Sequence, residues 1–568
     1  MNYAAIDHSA TSRDCICLSP GRFLFRLRCG KDDLQSVVLH IMDKYFPLEL
    51  EDSRRALPME KLCSDGTLDY WEAEAAFDVI CLRYWFELTD RSGRTVYYND
   101  HRFFDAPVTD KEQLNDCPQI MREQDRFQPP AWAANKVVYQ VFPSRFAASR
   151  PVPDRDWYKA PIGFTENLHG DLRGIIGRLD HLCALGVDVL YLTPIFRSNT
   201  SHKYDIIDYY TVDPDFGTEA DLRELVDRAH ALGLRVILDG VFGHTAPEFY
   251  AFADVQKNGP ASRYWDWYYV EGYPLRTGRG IKPNFKSFAY YGGMPKLNHG
   301  NPEVRRFVLD VALYWLRSCG IDGWRLDVGD EIAHSFWKTF RQKIKAEFPE
   351  ALIIGEVWHY APDFLQGDEW DTVMNYPFYR NVLELAARGT IPPSEFVRRQ
   401  SFLKARLHPA VWPLLWNLAD SHDTRRLLQH CGGDKARMRL TAALQLLEPG
   451  MPMLYYGDEY AMDGGDGSDC RRGMLWDPAR QDGEMFRWYR DLIRVRKACP
   501  DLLDRAGLLE ADDSKALLFL SGKDSAAVFH CGADAAALPQ WSGQTDLLTG
   551  QPFDGVLGPF AVRVFRRG

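Results

Sequence analysis

Eight short apolar runs alternate with amphipathic helical patterns through the middle of this 568-residue chain. The helical stretches carry apolar residues at i, i+3 and i+4 and end in glycine, a common helix stop. The runs are VVYQVF (137–142), VDVLYLT (187–193), RVILDGV (235–241), IDGWRLD (321–327), ALIIGEV (351–357), DTVMNY (371–376), PLLWNL (413–418) and PMLYY (452–456). Eight strands, each followed by a helix, predict an α/β fold with a parallel (β/α)8 TIM barrel. A doubly wound open sheet is the alternative, but no GxGxxG or Walker loop follows any run.

Three further segments are predicted around this barrel. Residues 1–125 alternate apolar and polar positions, as in RFLFRLRC and VICLRYWFELTD, which predicts an N-terminal antiparallel β-sandwich. The barrel then occupies 130–497, and its third strand is followed by a long aromatic stretch, about 245–300, that we interpret as an inserted subdomain. Short strands return in 498–568, which predicts a C-terminal β-domain.

Composition excludes several classes of partner. The formal net charge of −11 argues against a nucleic-acid backbone, whereas neutral glycans remain compatible. No apolar run approaches the roughly 18–20 residues of a membrane span, so we expect no membrane association. The first fifteen residues lack a basic region followed by an apolar core, and we expect no secretion signal. Twelve scattered cysteines without a CxxC pair or zinc spacing favour reduced thiols in the cytoplasm.

Acidic residues recur at the ends of the predicted barrel strands. Arg325 and Asp327 are two apart in the stretch GWRLDVGDE (323–331) and therefore project to the same face. Three other runs end in or are followed by Asp239, Glu356 and Asp423. Because the C-terminal ends of the strands carry the chemistry in such barrels, these four acids are expected around one rim.

Carboxylates clustered beside an arginine and two histidines, His244 and His422, would have pKa values that are pushed apart. That arrangement suits glycoside hydrolysis, in which one carboxylate attacks or stabilises and another, kept protonated, protonates the leaving oxygen. On this hypothesis Arg325 holds Asp327 ionised and oriented as a nucleophile. Each feature alone has a structural explanation. An Arg-x-Asp pair in a strand is more often a structural ion pair than a catalytic one, and the string HDT, which contains His422 and Asp423, can cap a helix. Four acids at four strand ends favour an active site.

The aromatic stretch likewise has a structural and a functional interpretation. Ten Trp, Tyr and Phe residues lie between 264 and 291, and most residues of these types belong to cores or interfaces. Their number exceeds what a small subdomain needs to bury, so some of them are expected to stack on sugar rings.

Several motifs jointly resemble the α-amylase family (glycoside hydrolase family 13) between about 130 and 460. DGVFGH, GWRLDVGDE, GEVWH and SHDT resemble the four conserved regions of that family, and YQVFPSRFA, HKYDIIDYYTVDPDFGT and PGMPMLYYGDE resemble its flanking regions. The resemblance implies a retaining mechanism with Asp327 as nucleophile, Glu356 as general acid/base and Asp423 as the third carboxylate, which stabilises the transition state. It also implies that Tyr204, His244, Arg325 and His422 line the −1 subsite and that Asp239 is a structural support.

The string MPKLN (294–298) narrows the resemblance to the neopullulanase, cyclomaltodextrinase and maltogenic amylase group. The N-terminal sandwich then resembles a starch-binding module that, in this group, packs on a partner subunit and narrows its active site. The resemblance therefore implies a homodimer formed through the N-terminal domain. It also implies that Glu331 and Trp358 act on the acceptor side and tune hydrolysis against transglycosylation.

Two departures from the family pattern bear on metal binding. Gly243 stands where the family usually has asparagine, and ASRPVPDRD (148–156) stands where the group often has an Asn/Asp-rich calcium loop. In that loop Arg155 lies between Asp154 and Asp156, with Arg150 nearby, and a positive charge there can replace an ion. We therefore expect no required cofactor or metal, with at most a weak structural calcium site that could include Asp171.

The sequence predicts an enzyme that cleaves α-1,4-glucosidic bonds, with α-1,6 cleavage and transglycosylation as further activities. Its substrates would be cyclodextrins, maltodextrins, pullulan or starch, and the sequence does not rank them. Two alternatives remain: an α-glucan transferase of the same family, which seldom carries MPKLN, and a non-catalytic glycan-binding relative. Such relatives lose catalytic acids, and this chain retains all three.

Overall fold

The computed structural model describes residues 1–10, 13–45, 54–108, 111–124, 126–163, 165–278, 280–504 and 508–567. The chain forms two compact units, the first comprising Met1–Gln128, Pro362–Asp368 and Ser394–Trp412, and the second Pro129–Ala361, Glu369–Pro393 and Pro413–Gly568. Residue 125, the predicted end of the sandwich, lies outside the described residues, as does residue 568. None of the helices in these ranges is long and apolar enough to cross a membrane.

The first unit contains two antiparallel sheets, which confirms the predicted sandwich. Their orders are β1-β2-β6-β5 and β4-β3-β7-β8-β9, with β10 pairing to β7. The strands are β1 (Cys15–Ser19), β2 (Arg22–Gly30), β3 (Leu34–Asp43), β4 (Arg55–Pro58), β5 (Glu60–Ser64), β6 (Leu68–Ala76), β7 (Cys81–Asp90), β8 (Thr95–Asn99), β9 (Arg102–Phe104) and β10 (Asn115–Pro118). Alternate residues such as Phe23, Phe25 and Leu27 of β2 and Leu39 and Ile41 of β3 share one buried core.

The second unit is built on a parallel barrel of eight strands, as predicted. The order is β18-β17-β16-β15-β12-β11-β20-β19, and a parallel bridge between Met374 and Trp416 brings the two ends together. The strands of this part of the chain are β11 (Val138–Val141), β12 (Val189–Leu192), β13 (Phe196–Ser198), β14 (Ile206–Val212), β15 (Arg235–Gly240), β16 (Gly323–Leu326), β17 (Leu352–Gly355), β18 (Thr372–Val373), β19 (Trp416–Leu418) and β20 (Met451–Tyr455). Residues of β11, β12, β16 and β17 are all buried, because helices cover the outer face of a parallel barrel.

Seven of the eight barrel strands are shorter than the apolar runs that predicted them, and β20 has the same length as its run. The run 371–376 yields only β18, because Asn375 already caps the next helix by accepting a hydrogen bond from the Phe378 amide. The run 413–418 begins inside a 3-10 turn, Pro409–Leu414, so only its last three residues form β19.

The described helices begin and end largely where the sequence places its signals. They are α1 (Gln119–Gln124), α2 (Pro143–Phe146), α3 (Asp154–Trp157), α4 (Leu172–Ile176), α5 (Leu179–Leu185), α6 (Glu219–Ala231), α7 (Tyr250–Asn258), α8 (Pro302–Cys319), α9 (His334–Glu347), α10 (Tyr376–Val382), α11 (Pro393–Arg406), α12 (Leu427–His430), α13 (Lys435–Leu447) and α14 (Gly483–Ala498). Thr218 and Asp221 form a capping box at the start of α6, and left-handed Gly320 ends α8. The stretch DLRGIIGRLDHLCALG (171–186), whose apolar spacing predicts one amphipathic helix, is broken into α4 and α5 at Gly177.

The stretch after β15 contains α7, a helix that the sequence analysis did not predict, followed by irregular chain. Isolated antiparallel bridges, Tyr268 with Leu297 and Val270 with Phe285, hold the irregular part together. Its aromatic residues differ in burial, and Tyr264, Trp265 and Phe288 are partly buried. Buried ones include Trp267, Tyr268 and Phe285, whereas Tyr269, Tyr273, Tyr290 and Tyr291 are exposed.

The end of the second unit carries the predicted C-terminal β-domain. It consists of an antiparallel sheet with the order β21-β22-β23-β26 and a short pair, β24-β25. The strands are β21 (Leu508–Asp512), β22 (Leu517–Ser521), β23 (Ser525–His530), β24 (Ala536–Ala537), β25 (Val556–Leu557) and β26 (Val562–Arg566).

Gly323, the first residue of β16, tests how tightly the barrel is packed. Its φ is +154°, and an added Cβ would lie 2.1 Å from the carbonyl oxygen of Leu352 on the neighbouring strand. We expect Gly323→Ala to lower the free energy of unfolding by about 3 kcal/mol, because it combines backbone strain with overpacking. Gly558→Ala, whose Cβ meets no atom within 4 Å, is the matched control. Equal denaturation midpoints for the two variants would contradict this account.

Candidate active site

A cavity of about 520 Å³ opens at the C-terminal ends of the barrel strands. Seven of the residues predicted from the sequence line it: Tyr204, His244, Asp327, Glu331, Glu356, Trp358 and Asp423. Three others, Asp239, Arg325 and His422, are buried beneath it, each at most 1% exposed. The residues that sequence reasoning missed are His202, Phe288, Met294, Val328, Asp330 and Arg471.

Arg325 is the common partner of the buried acids. Its Nη1 donates to both oxygens of Asp239 at 3.0 Å and to Asp327 Oδ1 at 2.9 Å. Its Nη2 lies 2.8 Å from Glu356 Oε2. Asp239 also accepts hydrogen bonds from the hydroxyls of Tyr191 and Tyr204, at 2.7 and 3.0 Å.

One guanidinium faces three carboxylates in this cluster. Burial raises the pKa of Asp327 well above its ordinary value, and Arg325 opposes the rise while Glu356 and Asp239 add to it. Burial likewise raises the pKa of Asp239 to about 6 against the opposing charge of Arg325. Three ionised carboxylates beside one guanidinium would leave two negative charges uncompensated in a buried site, and this excess of negative charge favours protonation within the cluster.

Glu356 is fixed by two further donors. The Val328 amide donates to its Oε2 at 2.8 Å, and the Trp358 indole donates to its Oε1 at 3.1 Å. Val328 has a left-handed backbone, φ 44° and ψ 48°, although it is β-branched. Such a conformation costs about 1–3 kcal/mol and is typical of functional sites. Here it directs the amide that follows Asp327 at the Glu356 carboxylate.

Asp423 is held from two sides. Arg471 Nη2 donates to its Oδ1 at 3.1 Å, and His422 Nε2 lies 3.1 Å from its Oδ2. Its side chain is 30% exposed, so it remains accessible from the cavity. Arg471 also donates through Nε to the His422 carbonyl at 2.8 Å. Nothing in the loop sequence around Arg471 marks it, because its position depends on where the loop after β20 returns to the rim.

Burial favours the neutral form of His244 and His422, two of the three histidines of the site. Burial lowers the pKa of His244 to about 4, and its Nε2 is 3.0 Å from the Tyr204 carbonyl. Burial, followed by the charges of Arg471 and Arg325, lowers the pKa of His422 well below its ordinary value. Phe288 stacks on His244 with ring centroids 5.7 Å apart, so one aromatic residue of the inserted stretch reaches the cavity.

The two residues expected on the acceptor side, Glu331 and Trp358, also line the cavity. Glu331 forms an ion pair with Lys296, and Met294 lines the cavity, so two residues of MPKLN reach the site. The Trp358 ring stacks on Tyr376 at 4.0 Å and is 44% exposed. An exposed indole held in one orientation offers a flat apolar surface to a sugar ring.

The residues discussed for calcium are engaged in the protein itself. Asp171 caps α4 through the Gly174 amide at 2.6 Å and accepts from the Ser149 hydroxyl at 2.6 Å. Asp156 lies 3.7 Å from the Arg155 guanidinium in α3. Within the described ranges, no group of three His, Cys, Asp or Glu side chains has a metal-binding arrangement.

Comparisons with known proteins identify the family of the chain. Residues 140–487 match the model of the alpha amylase catalytic domain, and residues 1–120 match that of the alpha amylase N-terminal ig-like domain. The chain is 42% identical over 504 residues to a cyclomaltodextrinase of Geobacillus thermopakistaniensis (strain MAS1), covering 88% of this chain and 85% of that protein. It is 40% identical over 498 residues to neopullulanase 2 of Thermoactinomyces vulgaris, covering 87% and 84%.

A solved structure described as a cyclomaltodextrinase matches with a TM-score of 0.92 and 34% identity, covering 100% of both chains. The fold and the similarity to proteins of known sequence therefore agree along nearly the whole chain. The chain is a glycosidase of the α-amylase family, within its cyclomaltodextrinase-like members.

Proposed function

We propose that the protein is a retaining glycoside hydrolase that cleaves α-1,4-glucosidic bonds of cyclodextrins and maltodextrins. Pullulan and starch are further substrates in this proposal, and α-1,6 cleavage and transglycosylation are further activities. The observation that carries it is the set of three carboxylates, Asp327, Glu356 and Asp423, around one cavity, with Arg325 beneath two of them. The names of the relatives support the substrate class.

Asp327 is the nucleophile in this proposal. Arg325 at 2.9 Å stabilises its ionised form and fixes the orientation of one carboxylate oxygen, leaving the other free to attack the anomeric carbon. The C–O bond to the leaving sugar breaks as the bond from the carboxylate forms, which gives a covalent glycosyl-enzyme. Water then releases the glycosyl group with retention of configuration.

Glu356 is the general acid in this proposal and donates a proton to the leaving oxygen. The Val328 amide donates to its Oε2 and Arg325 Nη2 lies 2.8 Å from the same oxygen, so Oε1, beside Trp358, is the oxygen able to carry the transferable proton. In the second step the same carboxylate accepts a proton from water. Asp423, held by Arg471 and His422, binds sugar hydroxyls and favours the distorted ring.

The alternatives explain fewer of these contacts. A non-catalytic glycan-binding protein would have no need to bury three acids around one arginine, which costs free energy without adding contact to a sugar. A transferase shares the three acids and differs in how it treats the acceptor, so product analysis decides between them. Chromatography of products from cyclodextrin, maltodextrin, pullulan and starch should show mainly hydrolysis, and transfer products alone would favour the transferase.

Substitution of the two acids tests the chemistry. Asp327→Asn should reduce kcat by at least about a thousandfold while the protein stays folded, because it removes the nucleophile and keeps the shape. Glu356→Gln should lose most of its activity on natural glucans. It should retain a much larger fraction of wild-type activity on glycosides with good leaving groups, because these need little protonation. Asp466→Asn, an exposed carboxylate paired with Arg425, is the control. An Asp327→Asn enzyme with more than about a tenth of the wild-type kcat would refute the assignment.

We further propose a homodimer formed through the N-terminal domain, with that domain narrowing the partner's cleft and favouring small or cyclic substrates. This proposal is supported by three exposed apolar residues of that domain, Ile80, Ile120 and Met121. The backbone amide of Gln119 donates a hydrogen bond to the Ile80 carbonyl at 3.0 Å, which brings the three residues together. Sedimentation velocity should show a dimer that the double variant Ile80→Asp, Met121→Asp dissociates. A monomeric wild-type protein would exclude this arrangement.

Catalysis is proposed to need no cofactor and no calcium, and any bound calcium would be weak and structural. Gly243 offers no side-chain oxygen, and Asp171 already accepts hydrogen bonds from Ser149 and Gly174. Exhaustive EDTA treatment should leave activity and melting temperature unchanged. A loss of activity that added calcium alone restores would contradict the proposal.

We also propose that the protein is located in the cytoplasm. All twelve cysteines are unpaired, which is the usual state in a reducing compartment.

A further inference from the structure

Gln140, in the middle of β11, contacts the active site only through another residue. It is fully buried, and its Nε2 lies 2.7 Å from Nδ1 of His422. Its side-chain oxygen has no hydrogen-bond partner among the described residues. On the other side of the imidazole, His422 Nε2 lies 2.6 Å from the Tyr204 hydroxyl. A neutral imidazole carries one proton, so these contacts must decide which nitrogen holds it.

The hydroxyl of Tyr204 gives the first argument for which imidazole nitrogen carries the proton. It has one proton, and its oxygen lies 3.0 Å from Asp239 Oδ2. If that proton goes to the carboxylate, the short contact with His422 is a hydrogen bond only when Nε2 carries the imidazole proton. With Asp239 ionised, the opposite tautomer would direct the hydroxyl at His422 and leave the Asp239 contact as two acceptors facing each other.

Asp423 gives the same answer independently. Its Oδ2 lies 3.1 Å from His422 Nε2. A protonated Nε2 attracts that carboxylate, whereas a bare nitrogen lone pair would repel it. With Nε2 protonated, Nδ1 is an acceptor, and the amide nitrogen of Gln140 is the donor placed to satisfy it. In this orientation the unsatisfied group of Gln140 is a carbonyl oxygen, which is less costly than an orphaned NH₂ with two donors.

We propose that Gln140 is a positioning residue that holds His422 in the Nε2–H tautomer, so that this N–H is directed at the Tyr204 hydroxyl and presents its positive end beside Asp423. It acts without touching substrate, and its catalytic consequence rests on the proposed function of Asp423. An amide cannot change its protonation state near neutral pH, so the tautomer is held over the whole working range. Loss of the donor would leave Asp423 with Arg471 as its remaining charged partner in the site.

The substitution Gln140→Glu converts this into a pH-dependent contact. The introduced carboxyl can donate to Nδ1 when it is protonated, as the amide does, whereas in its ionised form it can only accept and draws the proton to Nδ1. Activity of Gln140→Glu relative to wild type should therefore be greatest at low pH and fall as the pH rises through the pKa of the new carboxyl. Burial raises that pKa toward neutrality, which puts the change within a measurable range.

Other ionisable groups face His422 and set the background of this experiment. They are common to the wild-type and variant enzymes, so the ratio of the two kcat/KM values removes their direct contribution. The groups are Asp423, Arg471, Arg325, Glu356, His202 and Tyr204.

Neutron crystallography of the wild-type protein reads the tautomer directly and does not depend on activity. We expect a hydrogen on Nε2 of His422 and none on Nδ1. A hydrogen on Nδ1 overturns the proposal. If the hydrogen is on Nε2 but the wild-type enzyme hydrolyses no glucan, the proposed function fails and the structural role of Gln140 stands.

Kinetics with a soluble maltooligosaccharide tests the consequence for catalysis. Gln140→Met, which keeps the shape and removes the donor, should lower kcat/KM about tenfold, as expected for one hydrogen bond at the site. Gln445→Met is the matched control, since Gln445 is equally buried but donates to the carbonyls of Asn417 and Met453 outside the cavity. Equal activity of the two variants, or a Gln140→Glu to wild-type ratio that is constant with pH, overturns the catalytic part.

Discussion

The shared contacts of Arg325 are the interaction on which the site depends. A buried charge is costly unless it is paired, and here one guanidinium compensates Asp239, Asp327 and Glu356 at distances of 2.8–3.0 Å. Because there are fewer positive than negative charges, protonation within the cluster is favoured relative to the same acids in water. The proposed mechanism uses this arrangement to place an acid and a nucleophile in one cavity.

The backbone on either side of Arg325 supports these ion pairs at two positions, one at the start of β16 and one shortly after its end. Gly323 allows β16 to approach Leu352 of β17 so closely that no side chain fits between them. Val328 adopts a left-handed conformation and points its amide at Glu356. The strand that supplies the arginine and Asp327 is thus fixed at its start by close packing and at its end by a strained turn.

The sequence predicted the barrel well because parallel strands are buried on both faces and appear as continuous apolar runs. The two sandwich sheets were equally visible through their alternation. Helix α7 was missed because its apolar positions lie within a stretch already crowded with aromatic residues. The break between α4 and α5 was missed because a single glycine within an amphipathic pattern does not show whether the helix continues.

The candidate site was predictable where a residue lies in or just after a barrel strand, as for Asp327 and Glu356. Arg471 and Phe288 come from loops without periodicity, and their positions depend on where distant chain returns to the rim. Gln140 lies in a predicted strand, but only its 2.7 Å contact with His422 distinguishes it from any other buried polar residue. Contacts of this kind depend on tertiary structure and leave no mark in the local sequence.

The central claim is that Asp327 attacks the anomeric carbon, and trapping the glycosyl-enzyme tests it most directly. The Glu356→Gln enzyme, treated with an α-glucosyl fluoride that needs no acid to leave, should accumulate the intermediate because it lacks the base for the second step. Peptide mass spectrometry should then find one added glycosyl group on the peptide that contains Asp327. A glycosyl group on another residue, or steady turnover without any adduct, would contradict the account.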